Sequence, residues 1–157
     1  MKTTHKTTGL LGEFECTLDA KGRIMLPSQL KKQLPLAAKN RFVINRGFEK
    51  CLVLYPKNEW EMESAQVNKL NLYTRQNREF IRAFHNGATE LILDGNNRLL
   101  FPKSLLSYAA IEKSIVLFAY SNRIEVWAQD AYEKMMKTEP GDFASLAEKV
   151  MGKTESE

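Results

Sequence analysis

Cysteine and histidine are scarce in this chain, two of each in 157 residues. Cys16 and Cys51 belong to no metal-ligand pattern, and neither His5 nor His85 has a Cys, Asp or Glu partner at metal spacing. No metal site and no disulfide framework are expected, and so few cysteines fit a reduced cytoplasmic setting. No GxSxG, HExxH, P-loop or GxGxxG motif occurs. The frames for acyl transfer, metal-assisted hydrolysis and nucleotide binding are therefore missing. The chain does not read as an enzyme, and neither a cofactor nor a small-molecule substrate is expected. Long apolar runs are missing as well. None approaches the roughly 20 residues needed to span a bilayer. The opening stretch Met1–Thr8 is polar and lacks the apolar core of a signal peptide; it reads as a flexible arm, and no membrane partner is expected.

What is present is a repeated frame. Asp19-Ala20-Lys21-Gly22-Arg23-Ile24-Met25-Leu26-Pro27 returns as Asp94-Gly95-Asn96-Asn97-Arg98-Leu99-Leu100-Phe101-Pro102. Asp19 to Asp94, Arg23 to Arg98 and Pro27 to Pro102 are each 75 residues apart. A frame of this length does not recur by chance, so the chain reads as a duplication. Each copy is near 45 residues, marginal as an independent unit. With hydrophobic residues at 43% the two copies together can bury a core, and they are expected to pack into one body.

Charge divides the copies. Residues 13–60 carry nine Lys and Arg against five Asp and Glu, whereas residues 88–131 carry four against five. A basic first copy suggests nucleic acid or another anionic surface; an excess of four charges is also compatible with an ordinary solvated face.

Hydrophobic periodicity gives the elements. Glu13 to Leu18 alternates polar and apolar, a half-buried strand with Phe14, Cys16 and Leu18 inward. A turn at Asp19–Gly22 follows, then an extended Arg23–Leu26 ended by Pro27, then a short helix from Ser28 to Leu34 with Leu30 and Leu34 on one face. Phe42–Ile44 and Cys51–Tyr55 form a hairpin. From Asn58 to His85 the pattern is helical, with Asn58 as first cap, Trp60, Val67 and Leu70 apolar, a break near Asn71–Thr74, Thr74 as second cap, and Phe80, Ile81 and Phe84 as the apolar stripe. Asn86-Gly87 supplies the stop. The second copy follows: a strand from Glu90 to Leu93, a helix from Ser104 to Ala109, and a hairpin of Ile115–Ala119 and Arg123–Trp127. Its hairpin is offset by 73, which matches Cys51 to Ile124 and Val53 to Val126. Short helices over Ala131–Lys137 and Phe143–Val150 and a frayed Gly152–Glu157 end are expected. The division is 13–60 as first repeat, 61–87 as helical linker, 88–131 as second repeat and 132–157 as helical tail.

The Asp-x-x-x-Arg frame admits two readings. In one, Asp19 and Asp94 hold their own turns and pair with Arg23 and Arg98, a structural lock. In the other, Lys21 and Arg23 stand at the surface, Arg23 forking onto guanine O6 and N7 and Gly22, lacking a Cβ, letting a phosphate approach the backbone. The two can hold together, Asp19 orienting the Arg23 that meets the ligand.

Two copies of D-x-K-G-R-x-x-x-P joined by a helical segment resemble the MraZ family, bacterial regulators of the division and cell-wall gene cluster built from two AbrB-type repeats. The stretches LDAKGRIMLP, CLVLYPKNEWE and NGATELILDGNNRLLFP carry the resemblance, which covers roughly Gly12 to Lys137. It implies an α+β fold, mainly β: a duplicated AbrB-type swapped-hairpin β-barrel with the linker helices outside. It further implies a ring homo-oligomer that binds tandem direct repeats of double-stranded DNA and represses its own operon, in the cytoplasm at the nucleoid. DNA contacts would fall on Arg23, with Lys21 and Gly22 beside it, and on Arg98, where Asn96 and Asn97 replace the Lys and Gly of the first copy. The other reading kept open is a ring-forming protein-interaction scaffold without tight DNA binding.

Overall fold

Glu13, Glu15 and Thr17 alternate with Phe14, Cys16 and Leu18, and this period of two forms strand β1 (Leu10–Thr17), its second set of residues turned to the core. The computed structural model describes residues 9–152, so the polar arm expected at Met1–Thr8 and residues 153–157 of the expected frayed end lie outside the described residues. β1 starts earlier than the alternation alone indicates because Leu10, Leu11 and Gly12 find partners in Ser121, Tyr120 and Ala119. There follow β2 (Arg23–Met25), a four-residue helix α1 (Ser28–Lys31), a 3-10 turn at Leu36–Ala38, and the hairpin β3 (Arg41–Arg46) and β4 (Leu52–Pro56). Helices α2 (Lys57–Asn68) and α3 (Arg75–His85) lead to the second copy: β5 (Thr89–Ile92), β6 (Arg98–Leu100), α4 (Lys103–Tyr108), β7 (Ser114–Ser121) and β8 (Arg123–Ala128). Helices α5 (Gln129–Met135) and α6 (Pro140–Met151) complete the chain.

The result is an α+β fold around one antiparallel sheet, ordered β1-β7-β8-β4-β3-β5, and a separate two-stranded ribbon, β2-β6. The copies interleave. The first strand of the first copy, β1, pairs with β7 of the second, and the first strand of the second copy, β5, pairs with β3 of the first. β4 and β8 join the two hairpins at the sheet centre. Among the described residues no ladder joins β1 to β5, so the hydrogen bonding stops at these two edges.

Inward residues of both hairpins meet in one core: Phe42, Ile44, Leu52 and Leu54 from the first copy, and Ile115, Leu117, Ile124 and Val126 from the second. Ile24 and Leu99 from the ribbon and Leu30 and Leu105 from α1 and α4 close it. Each of these is almost fully buried, and such a side chain contributes about 1.5–3 kcal/mol relative to exposure. A second, smaller cluster lies under α5, where Tyr132 covers Cys51, Val116 and Trp127 on the outer face of the sheet.

Three local expectations are corrected. The second hairpin is offset from the first by 72 residues at its return strand: Leu52 and Leu54 correspond to Ile124 and Val126, all facing the core, while Cys51 faces outward in the other cluster. Matching Cys51 to Ile124 would place equivalent residues on opposite faces, since a slip of one residue inverts a strand. The shorter turn accounts for it: Arg46 and Leu52 enclose five residues, the equivalent Ala119 and Ile124 four. Asn58 does not cap α2. Pro56 ends β4 and also holds the cap position at ψ 142°, so the helix begins at Lys57 and the Asn58 Oδ1 is buried with no hydrogen-bond partner among the described residues. Finally, α6 begins at Pro140, which sits in its first turn where the missing N–H costs nothing.

The helix expected over Ser28–Leu34 stops at Lys31, whereas both end signals of α3 hold. The Thr74 side chain accepts a hydrogen bond from the Asn77 backbone N–H at 3.3 Å, and Gly87, at φ 94°, leads the chain out of α3 beyond Asn86. Trp60 packs between β4 and α3: its ring stacks on Phe84 at 5.3 Å and lies 5.5 Å from Tyr55. Phe80 and Leu70, expected on the apolar faces, keep 43% and 37% of their surface exposed.

Candidate nucleic-acid interface

The repeated frame folds twice into the same turn. In the first copy Asp19 Oδ1 accepts the backbone N–H groups of Lys21 and Arg23, at 2.9 and 3.0 Å, and Oδ2 accepts Nε–H of Arg23 at 2.8 Å. In the second, Asp94 Oδ1 accepts Asn96 and Arg98 N–H at 2.8 and 2.9 Å, and Oδ2 accepts Arg98 Nε–H at 3.0 Å. The backbone closes alike: Gly22 N–H donates to the Asp19 carbonyl and Asn97 N–H to that of Asp94, both at 3.0 Å. Both carboxyls sit below their ordinary range. For Asp19 the Arg23 backbone N–H is the leading cause, with the Arg23 side chain adding to it, and the pKa falls to about 2; Asp94 shifts the same way, led by the Arg98 backbone N–H.

The two turns are neighbours. β2 and β6 pair antiparallel with Arg23 opposite Leu100, Ile24 opposite Leu99 and Met25 opposite Arg98. Two further bonds extend the ribbon symmetrically, Phe101 N–H to the Gly22 carbonyl at 3.0 Å and Leu26 N–H to the Asn97 carbonyl at 2.9 Å. Directly opposed residues share a face. Ile24 and Leu99 therefore point into the core, and Arg23, Met25, Arg98 and Leu100 form the outer face. Met25 and Leu100 are more than half exposed, at 59% and 54%. The arginines lie at diagonal corners with the two apolar side chains between them. Each guanidinium is tethered through Nε, and among the described residues its Nη groups have no other hydrogen-bond partner.

The ribbon thus brings together every residue singled out in the frame: Asp19, Lys21, Gly22 and Arg23 from one copy, Asp94 and Arg98 from the other. It adds Met25 and Leu100, which in the frame read only as apolar residues of an extended stretch. The signal was available: once Ile24 is inward, a period of two puts Met25 on the face of Arg23. Elsewhere, among the described residues, no group of three or more His, Cys, Asp or Glu is placed to hold a metal ion, and no helix is long and apolar enough to cross a membrane. His85 is engaged at the linker, its Nδ1 2.9 Å from the Ile81 carbonyl and its ring edge-on to Trp60.

Interleaved copies with paired Asp–Arg turns on one ribbon define a two-repeat protein that completes, within one chain, a pseudo-twofold arrangement. Comparison with known proteins places it further. The family model described as "MraZ protein, putative antitoxin-like" matches twice, over residues 10–83 and 84–151. A protein named transcriptional regulator MraZ from Christiangramia forsetii is 47% identical over 91% of this chain and 93% of its own length. Its namesake from Flavobacterium psychrophilum is 45% identical over 91% and 92%, and that from Cytophaga hutchinsonii 42% identical over 93% and 97%. The chain belongs to the MraZ family.

Proposed function

We propose that the chain is a DNA-binding transcription regulator that reads double-stranded DNA with the outer face of the β2–β6 ribbon. The observation that carries this reading is the diagonal placement of Arg23 and Arg98, each with Nε held by an Asp and its Nη groups without another hydrogen-bond partner among the described residues. The major groove admits a two-stranded β-ribbon, and an Arg presenting two donors matches guanine O6 and N7. A tethered guanidinium loses less rotamer freedom on binding than a loose one. Met25 and Leu100, between the arginines, suit the methyl groups of thymine. The names of the relatives as transcriptional regulators support the same reading.

The finer features extend this proposal. The chain acts on the DNA upstream of its own division and cell-wall operon, as a repressor at the nucleoid, and several copies assemble in a ring over tandem direct repeats. Self-association is supported by α6, whose Phe143, Leu146 and Val150 recur at helical spacing and are exposed by more than half. A ring raises the effective concentration of each later contact once the first has formed.

The test is a mobility shift on DNA from upstream of the protein's own gene, with Arg23→Ala, Arg98→Ala and the double variant. Each bidentate guanine contact contributes about 1–3 kcal/mol of discrimination, so each single variant is expected to bind the specific site about 5- to 150-fold more weakly with an unchanged circular dichroism spectrum. Normal binding by both single variants overturns the assignment of the ribbon.

A further inference from the structure

The offset of 75 that relates Arg23 to Arg98 also relates Lys21 to Asn96 and Ser28 to Lys103. The ribbon carries these four residues to its two ends. At one end the bond from Phe101 N–H to the Gly22 carbonyl holds the Lys21 turn against the start of α4. Lys21, Leu100, Pro102 and Lys103 border one shallow depression there. At the other end the equivalent bond from Leu26 N–H to the Asn97 carbonyl brings the Asn96 turn to the start of α1, where the residue matching Lys103 is Ser28. At these matched positions one end of the ribbon has two lysines and the other Asn96 and Ser28.

Both lysines are exposed, and neither forms an ion pair among the described residues. Asp19 is paired with Arg23, and Glu90 with Arg41 and Lys57 at 3.0 Å each. An ammonium is a compact point charge with rotatable donors, suited to a phosphate rather than to a base edge. The two sit beside Leu100 and so flank the proposed reading face.

We infer that Lys21 and Lys103 form a phosphate clamp that grips the DNA backbone at one end of the ribbon only. Resting on the reading of the ribbon as the DNA-contacting face, it assigns Lys103 as a backbone-contacting residue. The backbone offers equivalent phosphates on either side of a box, so the clamp adds affinity without choosing a sequence, and the bases met by the ribbon set the orientation. In the oriented complex the added contacts fall at one flank of the box.

The experiment measures the salt dependence of binding to the upstream DNA and to a random duplex of equal length, for the wild type, Lys21→Ala, Lys103→Ala and the double variant. A lost phosphate contact reduces the slope of log K against log salt by about 0.9. Each single variant is expected to lose about 0.9 per bound chain and the double variant about 1.8, on both DNAs, with the ratio of specific to random affinity unchanged. Hydroxyl-radical footprints of the double variant should lose protection at one flank of each box only. A Lys103→Ala slope equal to that of the wild type, with Lys21→Ala reduced, overturns the clamp, as does equal loss of protection at both flanks. In either case a loss of specific binding by Arg23→Ala shows that the ribbon assignment itself survives. Normal binding by both Arg23→Ala and Arg98→Ala would remove the ribbon reading and the clamp with it.

Discussion

Gly22 and Asn97 occupy the same left-handed position in two matching turns, at φ 87° and 61°. An Asn tolerates this conformation and a Gly takes it without steric cost, so the second copy has kept its turn while losing its glycine. A Cβ at Gly22 would meet Leu106 and the Phe101 carbonyl no closer than 3.6 Å. Space is available and only the backbone angle resists. Gly22→Ala is therefore expected to cost about 1–2 kcal/mol, Gly22→Asn clearly less, and Asn97→Gly little or nothing, as read from urea midpoints. Equal loss for the Ala and Asn variants would show that something other than the angle decides.

Acid should unlock both turns. The Asp19 carboxyl lies at about 2 against an ordinary 3.8, and Asp94 is lowered in the same direction; Glu90 is lowered too, chiefly by the Lys57 side chain. A depressed folded pKa means that the unfolded chain binds more protons in this window. The stabilisation is fully present above about pH 4 and is lost as pH falls toward 2. Urea midpoints from pH 6 to pH 2 should fall steeply for the wild type and less steeply for a variant carrying Asp19→Asn and Asp94→Asn. Parallel curves would place the acid sensitivity elsewhere.

The linker should be part of the stable body. Trp60 contacts Tyr55, Phe84 and His85 but is only half-buried. Trp60→Ala is expected to cost toward the lower end of the about 3–5 kcal/mol seen for large aromatic truncations. A melting temperature equal to that of the wild type would show α2 and α3 to be detached from the fold.

If ring-borne copies use one face of the duplex, their boxes must recur near one helical turn, about 10 bp. Inserting five base pairs between two boxes should abolish the cooperative gain in binding, and inserting ten should hurt less. Equal affinities for the two insertions would sink the tandem-repeat arrangement while leaving single-site binding intact.

Much of this was legible before any coordinates. The frame announced the duplication, the Asp–Arg pairing and both turns, because all these bonds span four residues or fewer. Thr74 and Gly87 likewise act locally, through a bond to Asn77 three residues on and a positive φ just past α3. Strand partners were not legible. Alternation in β1 tells which side Phe14 faces but not that Phe14 lies opposite Leu117 of the other copy, since any strand with an apolar face could have served. The hairpin offset failed for a related reason: Cys51 and Ile124 both look like inward residues, and only the ladder between β4 and β8 shows that Leu52 is the equivalent of Ile124. Asn58 misled because a good capping residue was one position inside a helix that a proline had already begun. Lys103 lay in plain view at the repeat offset, but its meaning depended on the ribbon placing it beside Lys21.

The exchange of first strands has a consequence for a severed chain. Neither half owns a complete sheet: cutting between α2 and α3, where residues 69–74 run along the surface, leaves β1 with a partner only on the other fragment and β5 likewise. A protease nick there would yield two pieces that stay together as a noncovalent pair, while either piece made alone would expose half of a core and the four strand edges that pair across the halves. The peptide between the copies is thus dispensable for holding the folded protein together, and matters mainly for ensuring that the two halves meet.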